Sequence, residues 1–414
     1  MATLKRKWIV SLSIVVFILP LAGSGYLTIG PGRDYVRAAS LLQRIADGKG
    51  QGTLAHMDSY PVDEQATTVL AADGTGIPAR LYIPQGVKDA PGMVLLHGVH
   101  HLGIEEPRLV AFSRAMSSAG IVVLTPELKE IADYHVSHAS IATIGAAVKS
   151  LSAQLGGEKV GLMGLSFAGG LALMTAADPQ YADSVGYVVS LGGHHDLARV
   201  CEFFANDTIA HPDGSIQSLK AHEYGALVVV YSHPEDFFSA QDMPIARESL
   251  RYQLWEDEAK SRAAAEKLSP AGHARMELLW LHKKDALATE LAQSINKHRE
   301  ESGMVSPHGN LAGLRAPVLL MHGAGDTVIP ASETLWLEKE VPARWMRAAL
   351  VTPLLSHVDV GGAVSMGDKL AIVSFIAELL RASDACRTAR QATSIRLREE
   401  RTNARTGVRL GYAG

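Results

Sequence analysis

The 414-residue sequence predicts an α/β fold, a mostly parallel sheet with helices on both faces, and three observations predict it. Short aliphatic runs such as Gly92-Met-Val-Leu-Leu96 are too continuous for half-exposed strands and fit strands buried on both faces. Between them, apolar residues recur at three- and four-residue steps, as in Ile141, Ile144, Val148 and Leu151, which marks helices. Strand and helix patterns alternate along the chain, and a parallel sheet needs that alternation because its crossovers are helical.

The elements follow in order. Lys5-Arg6-Lys7 precedes the apolar run Trp8–Ala22, and no further charge appears before Arg33. This is the pattern of a secretory signal with Ala22-Gly-Ser24 as cleavage site or, counted on to Ile29, of an anchor long enough to span a bilayer. Residues 1–32 are therefore read as a membrane anchor or signal peptide. Either form leaves the basic cluster in the cytoplasm and sends the body across the membrane, anchored or secreted. Residues 33–65 read as a connector, with Leu41, Leu42 and Ile45 on one face of a short amphipathic stretch. The segments 67–72 and 78–84, split by Asp73-Gly74, predict an antiparallel hairpin opening the sheet.

The run Gly92–Leu96 then ends in His97-Gly98 and a loop, Val99–Gly103, before a helix whose face carries Leu109, Phe112 and Met116. A strand over 121–125 and the helix carrying Ile141 to Leu151 continue the alternation. Next, Lys159-Val-Gly-Leu-Met-Gly-Leu-Ser-Phe-Ala-Gly-Gly170 stops an apolar run at Gly164, presents Ser166, and passes through small residues into a helical pattern. Strands over 187–191, 316–323 and 348–353 follow. The second of these runs into Asp326, and the third is followed by Leu354-Leu-Ser-His357 and Gly361-Gly362. A helix over 370–380 ends the pattern, and residues 384–414, rich in arginine, read as a basic mobile tail.

A serine exposed between strand and helix needs a strained backbone, so small residues are required two before and two after it. Gly164 and Ala168 meet that need around Ser166. With His97-Gly98 ending an earlier strand, and Asp326 and His357 following in that order, the chain resembles the α/β-hydrolase superfamily, in particular its dienelactone-hydrolase-like and esterase-like members. The resemblance covers residues 66–196 and 311–383, which form the expected core. It implies that the intervening segment 197–310, helical by period in its later half, is a lid over the serine, with Phe203, Phe204, Phe237 and Phe238 offering an apolar acyl pocket. Ser166 would be the nucleophile, His357 its base, and Asp326 the group that orients and stabilises the imidazole without taking the proton. The backbone N–H groups of Val99 and Phe167 would form the oxyanion hole. His97, Gly98, Gly164 and Ala168 support the motif.

The activity implied is cleavage of carboxylic esters through an acyl-enzyme, with a small-molecule ester or acyl substrate and no cofactor. An acyltransferase or thioesterase with the same triad, and a catalytically silent membrane-tethered binding protein, are the alternatives the sequence leaves open. No metal site is expected: the pairs His100-His101 and His194-His195 lack any nearby ligand spacing of a zinc motif. Cys201 and Cys386 are too few for a disulfide framework. A net charge of −4 and the lack of a basic aromatic stripe or phosphate-binding glycine loop give no sign of a nucleic-acid partner.

Overall fold

The computed structural model describes residues 31–47, 55–355 and 365–406, with side chains as far as Arg387. The apolar segment 1–30 and His357 lie outside the described residues. Among the described residues no helix is long and apolar enough to cross a membrane.

Eight strands form one sheet in the order β1-β2-β4-β3-β5-β6-β9-β10. They span Val62–Leu70 (β1), Gly76–Pro84 (β2), Gly92–Leu96 (β3), Val122–Pro126 (β4), Val160–Leu165 (β5), Val185–Leu191 (β6), Val318–Gly323 (β9) and Met346–Thr352 (β10). Only β2 runs against its neighbours, pairing antiparallel with both β1 and β4; all other pairings are parallel. The expected opening hairpin is present. Its turn carries Gly74 at φ +83°, which glycine adopts without cost, and the Asp73 carboxylate accepts from the Thr75 N–H at 2.9 Å.

The continuous aliphatic runs are explained by two apolar layers. Successive side chains of a strand point to opposite faces. Thus Val94, Leu96, Leu162, Val188 and Leu320 pack on one side with Ile144, Val148 and Leu151 of the helix Ala139–Gln154. Met93, Leu95, Met163, Val189 and Leu319 pack on the other with Met116, Phe375, Ile376 and Leu379. Burial of these side chains stabilises the fold by about 1.5–3 kcal/mol each.

The segment read as a connector is more than that. Pro31–Asp47 is a helix whose Ala38 and Leu41 are fully buried in the second layer. Its polar face is tied to the C-terminal helix by Arg37 to Asp384 (2.6 Å) and Arg381 to Asp34 (2.7 Å). The apolar face seen in the sequence needed a partner, and the partner is distant in the chain. β1 also begins within the supposed connector, at Val62.

The C-terminal tail also differs from expectation. The last helix runs from Met366 to Thr406, and Ser383 and Cys386 are buried, so the core does not stop at 383. Arg and Ala, both good helix formers, recur through the stretch beyond Ser383.

The regular elements of the inserted segment 197–310 are helices apart from one hairpin, Thr208–Ala210 (β7) with Ile216–Ser218 (β8), which its sequence did not announce. Its helices share the first apolar layer with the sheet. Arg251 fixes the insertion to the loop after β4, donating to both Asp133 carboxylate oxygens at 2.9 Å, while Tyr134 Oη donates to the Leu254 carbonyl at 2.7 Å. Phe203, Phe237 and Phe238 are buried inside this packing; of the four phenylalanines expected to line a pocket, only Phe204 reaches the cleft described below.

Candidate active site

Ser166 sits between β5 and the helix Phe167–Ala177, with φ +54° and ψ −134°. A non-glycine residue in that region is strained by about 1–3 kcal/mol and is held there by its surroundings. Serine at such a junction commonly caps the helix, but here its side chain makes no capping hydrogen bond. The turn is tight on both sides: a Cβ on Gly164 would lie 2.1 Å from the Ala168 carbonyl oxygen, and one on Gly169 would lie 3.0 Å from Gly193 Cα. The alanine at 168 is accommodated, fully buried in the first apolar layer. Ser166 N–H donates to the Leu191 carbonyl at the end of β6 (2.8 Å), which locks the turn to the next strand.

Asp326 lies three residues past β9 and is buried. Its Oδ1 accepts from the N–H groups of Val328 (2.8 Å) and Ile329 (3.1 Å). Its Oδ2 faces the other way, 3.7 Å from His322 Nε2 and 3.7 Å from where a Cβ on Gly192 would stand. Gly192 follows Leu191, the acceptor of the Ser166 N–H, and itself donates to the Met321 carbonyl at 2.8 Å. The serine and aspartate turns are therefore bridged by the end of β6. His322 is not a free base: Nδ1 is 2.7 Å from Thr334 Oγ1 and Nε2 is 2.8 Å from the Ile329 carbonyl, so the ring buttresses the aspartate loop.

The position expected for the base, His357, lies outside the described residues. Leu355, at the end of the described stretch, lies against the end of β9: a Cβ on Gly323 would lie 2.0 Å from its carbonyl oxygen.

Both expected oxyanion donors border one cleft. Val99 and Phe167 line it together with Leu197, Phe204, Tyr224 and Ile295, and it is partly open to solvent. Phe167 is the first residue of its helix, where N–H groups have no intrahelical partner. A Cβ on Gly98 would lie 3.4 Å from Ser166 Cβ, so the loop after β3 passes directly over the serine.

His97 orients that loop. The Leu128 N–H can only donate, so His97 Nε2 (3.0 Å) is the acceptor, and the ring proton resides on Nδ1, which donates to the Gly98 carbonyl at 2.9 Å. That carbonyl belongs to the same planar peptide as the Val99 N–H, so the bond fixes the direction of that N–H. The far end of the loop is held by Glu127, which accepts from Ile104 N–H at 3.0 Å and leaves no room for a Cβ on Gly103, itself at φ +47°. On the outer side His101 stacks on Trp255 of the insertion, ring centroids 5.3 Å apart. His97→Ala is expected to lower kcat about tenfold to a hundredfold with KM little changed, the cost of a misdirected donor. Steady-state kinetics on one ester would check this, and an unchanged kcat would remove the positioning role.

The buried histidines also set a pH dependence of stability. Burial pushes His97 and His194 below the ordinary value of 6.5, so both are neutral in the fold. The unfolded chain takes up protons first as pH falls. The stability they contribute is therefore complete above 6.5 and is lost as pH falls from there toward their folded values, by at most about 1.4 kcal/mol per pH unit for each histidine. Urea midpoints are expected to be lower at pH 5.5 than at 7.5; equal midpoints would show that these rings are not held neutral.

The histidine pairs behave differently from one another. His100 stacks on His101 and joins no group of potential metal ligands among the described residues. His195 meets His308 and Glu340, and a second group joins His233, His298 and Glu301. Both assemble residues far apart in sequence, which motif spacing cannot reveal. Cys201 lines the cleft, but burial pushes its thiol up to about 12, so it stays protonated and unreactive.

No family model matches the sequence, and no curated protein matches it. Solved structures of similar shape include brefeldin A esterase, a bacterial homologue of human hormone-sensitive lipase, at 16% identity, TM-score 0.41, covering 89% of this chain and 86% of that one. A Pyrobaculum calidifontis esterase matches at 16% identity and TM-score 0.41, over 88% of this chain and 94% of its own. Puromycin hydrolase matches at 15% identity and TM-score 0.45, over 79% of this chain and 40% of its own. At such identities and scores the likeness adds nothing about chemistry, and the assignment rests on the molecule itself. With one strand, β2, running against the other seven of its sheet and apolar layers packed on both sheet faces, the described residues have the α/β-hydrolase fold.

Proposed function

We propose that the protein is a serine hydrolase that cleaves small carboxylic esters through an acyl-enzyme. The observation that carries the reading is the backbone of Ser166, held at φ +54° and ψ −134° with a hydroxyl that makes no helix cap, next to Phe167, which lines the cleft. A helix cap gains nothing from such strain, whereas a nucleophile that must project from its turn does.

In this reading His357 takes the Ser166 proton as the oxygen attacks the ester carbonyl, and Asp326 Oδ2 holds the imidazole and stabilises its cation. The negative oxygen of the tetrahedral intermediate is met by the N–H groups of Val99 and Phe167, each worth about 2.7–4 kcal/mol of barrier. Collapse expels the alcohol, which receives the proton from His357. Water then enters through the open side of the cleft and the steps repeat to release the acid. Leu197, Phe204, Tyr224, Val228, Val229 and Ile295 give the cleft an apolar wall, which favours an acyl or alkyl group of moderate length. The insertion that carries most of this wall acts as the lid. No cofactor is required.

The cation cluster Lys5–Lys7 and the apolar run behind it support a body placed on the extracytoplasmic side, tethered to the bilayer or released. Protease accessibility in spheroplasts would test that placement: a body protected from added protease contradicts it.

Hydrolysis of p-nitrophenyl esters from acetate to laurate, with His357→Ala beside the wild type, tests the chemistry. The expected result is a kcat/KM that peaks at intermediate chain length and falls at least a thousandfold, about 4 kcal/mol of barrier, in the variant. Turnover that survives the variant unchanged would assign the base elsewhere.

A further inference from the structure

The loop that carries the Val99 N–H is held on its inner side by the turn after β4 and on its outer side by the insertion. The inner hold consists of Leu128 N–H donating to His97 Nε2 and Ile104 N–H donating to Glu127 Oε2, both at 3.0 Å. Between these anchors the chain turns on itself: the His100 carbonyl accepts from Gly103 N–H at 2.9 Å, and His100 Nδ1 accepts from Leu102 N–H at 3.2 Å. Among the described residues the hydrogen bonds of His100 and Leu102 stay within the loop, and what reaches from it to the insertion is the His101 ring. That ring stacks on His100, with centroids 4.7 Å apart and planes 19° from parallel, and on Trp255, at 5.3 Å and 29°.

Trp255 is itself held to meet the loop. It closes the helix Met243–Leu254, its N–H donating to the Arg251 carbonyl at 3.0 Å, and Glu256 turns the chain at φ +60°. Tyr134 pins this corner to the core through the Leu254 carbonyl, and Arg251 pins it through Asp133, which also accepts from Tyr231 Oη at 2.8 Å. Tyr134 stands at φ +58°, a conformation that a bulky residue keeps only where its surroundings impose it. The edge of Tyr252 meets Trp255 at 5.9 Å and 86°. Trp255 Nε1 and His101 Nδ1 are buried and bond to nothing among the described residues, so the two side chains are joined through their ring faces.

We propose that Trp255 is a positioning residue for the oxyanion hole: its ring clamps His101 and thereby steadies the loop that bears the Val99 N–H. The proposal rests on the hydrolase reading above and makes the insertion part of the catalytic apparatus as well as a cover. A turn bonded within itself moves as one body, so a single contact on its outer side restrains the whole of it. His97 sets the direction of the Val99 N–H from within the core, and the stack keeps the turn that follows from pulling it away. Neither His101 nor Trp255 lines the cleft, so the clamp acts on the donor and not on the substrate.

Trp255→Ala is expected to lose about tenfold in kcat on p-nitrophenyl butyrate with KM unchanged, the effect of a slightly misplaced donor. Trp255→Phe keeps a ring face and gives up a nitrogen that bonds nothing, so it should restore kcat to within about twofold. His101→Ala should lose as much as Trp255→Ala, and the double variant no more than either, because both act through one contact. Should Trp255→Ala fail to fold, His101→Ala and Trp255→Phe carry the same comparison. Hydrogen exchange of peptides spanning residues 99–104 should be about two- to tenfold faster in Trp255→Ala or His101→Ala, as loss of one aromatic pair allows. Full kcat in the alanine variants, additive losses in the double variant, or unchanged exchange in the loop would overturn the proposal. A folded wild type that turns over no ester would instead remove the hydrolase reading; faster loop exchange in the variants would then still establish the clamp, and unchanged exchange would remove it.

Discussion

Ser166→Ala is expected to abolish ester turnover, lowering kcat by about 10⁶, while substrate still binds with nearly unchanged affinity. In the proposed scheme the acyl-enzyme can form only on the serine oxygen, so no other group compensates. The residual rate should be that of the oxyanion N–H groups and the cleft alone, about 10³–10⁴ over water. Folding should survive, because the Ser166 hydroxyl makes no capping bond and its N–H to Leu191 belongs to the backbone. Active-site titration together with a thermal melt separates the two effects. A folded variant with wild-type turnover would show that the strained serine is a structural turn.

Asp326→Asn should be nearly as damaging, about 10⁴ in kcat, the loss known when a triad carboxylate becomes an amide. The two oxygens of Asp326 have different tasks. Oδ1 accepts two backbone N–H groups, from Val328 and Ile329, and an asparagine carbonyl would keep both. The amide nitrogen is thereby forced into the Oδ2 position, where it donates instead of accepting. In the proposed triad His357 would then be held in the wrong tautomer, with a proton on the nitrogen that should receive one from Ser166. Because the backbone bonds persist, the melting temperature should change little while kcat falls. A pH–rate profile distinguishes this from loss of structure: activity should partly return at alkaline pH if only the protonation of the base is wrong. Retained activity at neutral pH would remove Asp326 from the mechanism.

The strands that carry these residues were legible because parallel strands are buried on both faces and so appear as unbroken aliphatic runs, each ending where polar residues begin. Gly164, Ser166 and Asp326 could be placed for that reason alone, and the order of the chain did the rest. The helix Pro31–Asp47 was visible as an amphipathic face, but nothing local says that its partner is a helix more than three hundred residues later. The same limit hid the grouping of His233 with His298, whose rings come from different helical segments of the insertion. His97 was noted as part of a motif, yet its task, fixing the peptide that carries the Val99 N–H, depends on Leu128 and became visible only with the turn after β4 in place. For the phenylalanines the error was one of kind. An apolar residue in an inserted helix is as well suited to packing that helix as to lining a pocket, and Phe203, Phe237 and Phe238 do the former.

The central claim is that Ser166 is an activated nucleophile, and covalent labelling tests it most directly. The detergent-solubilised full chain would be treated with a fluorophosphonate, and intact mass and peptide mapping compared between wild type and Ser166→Ala. One adduct on Ser166, absent in the variant, is the predicted result. An unlabelled but folded wild type, or an adduct that persists in the variant, would contradict it.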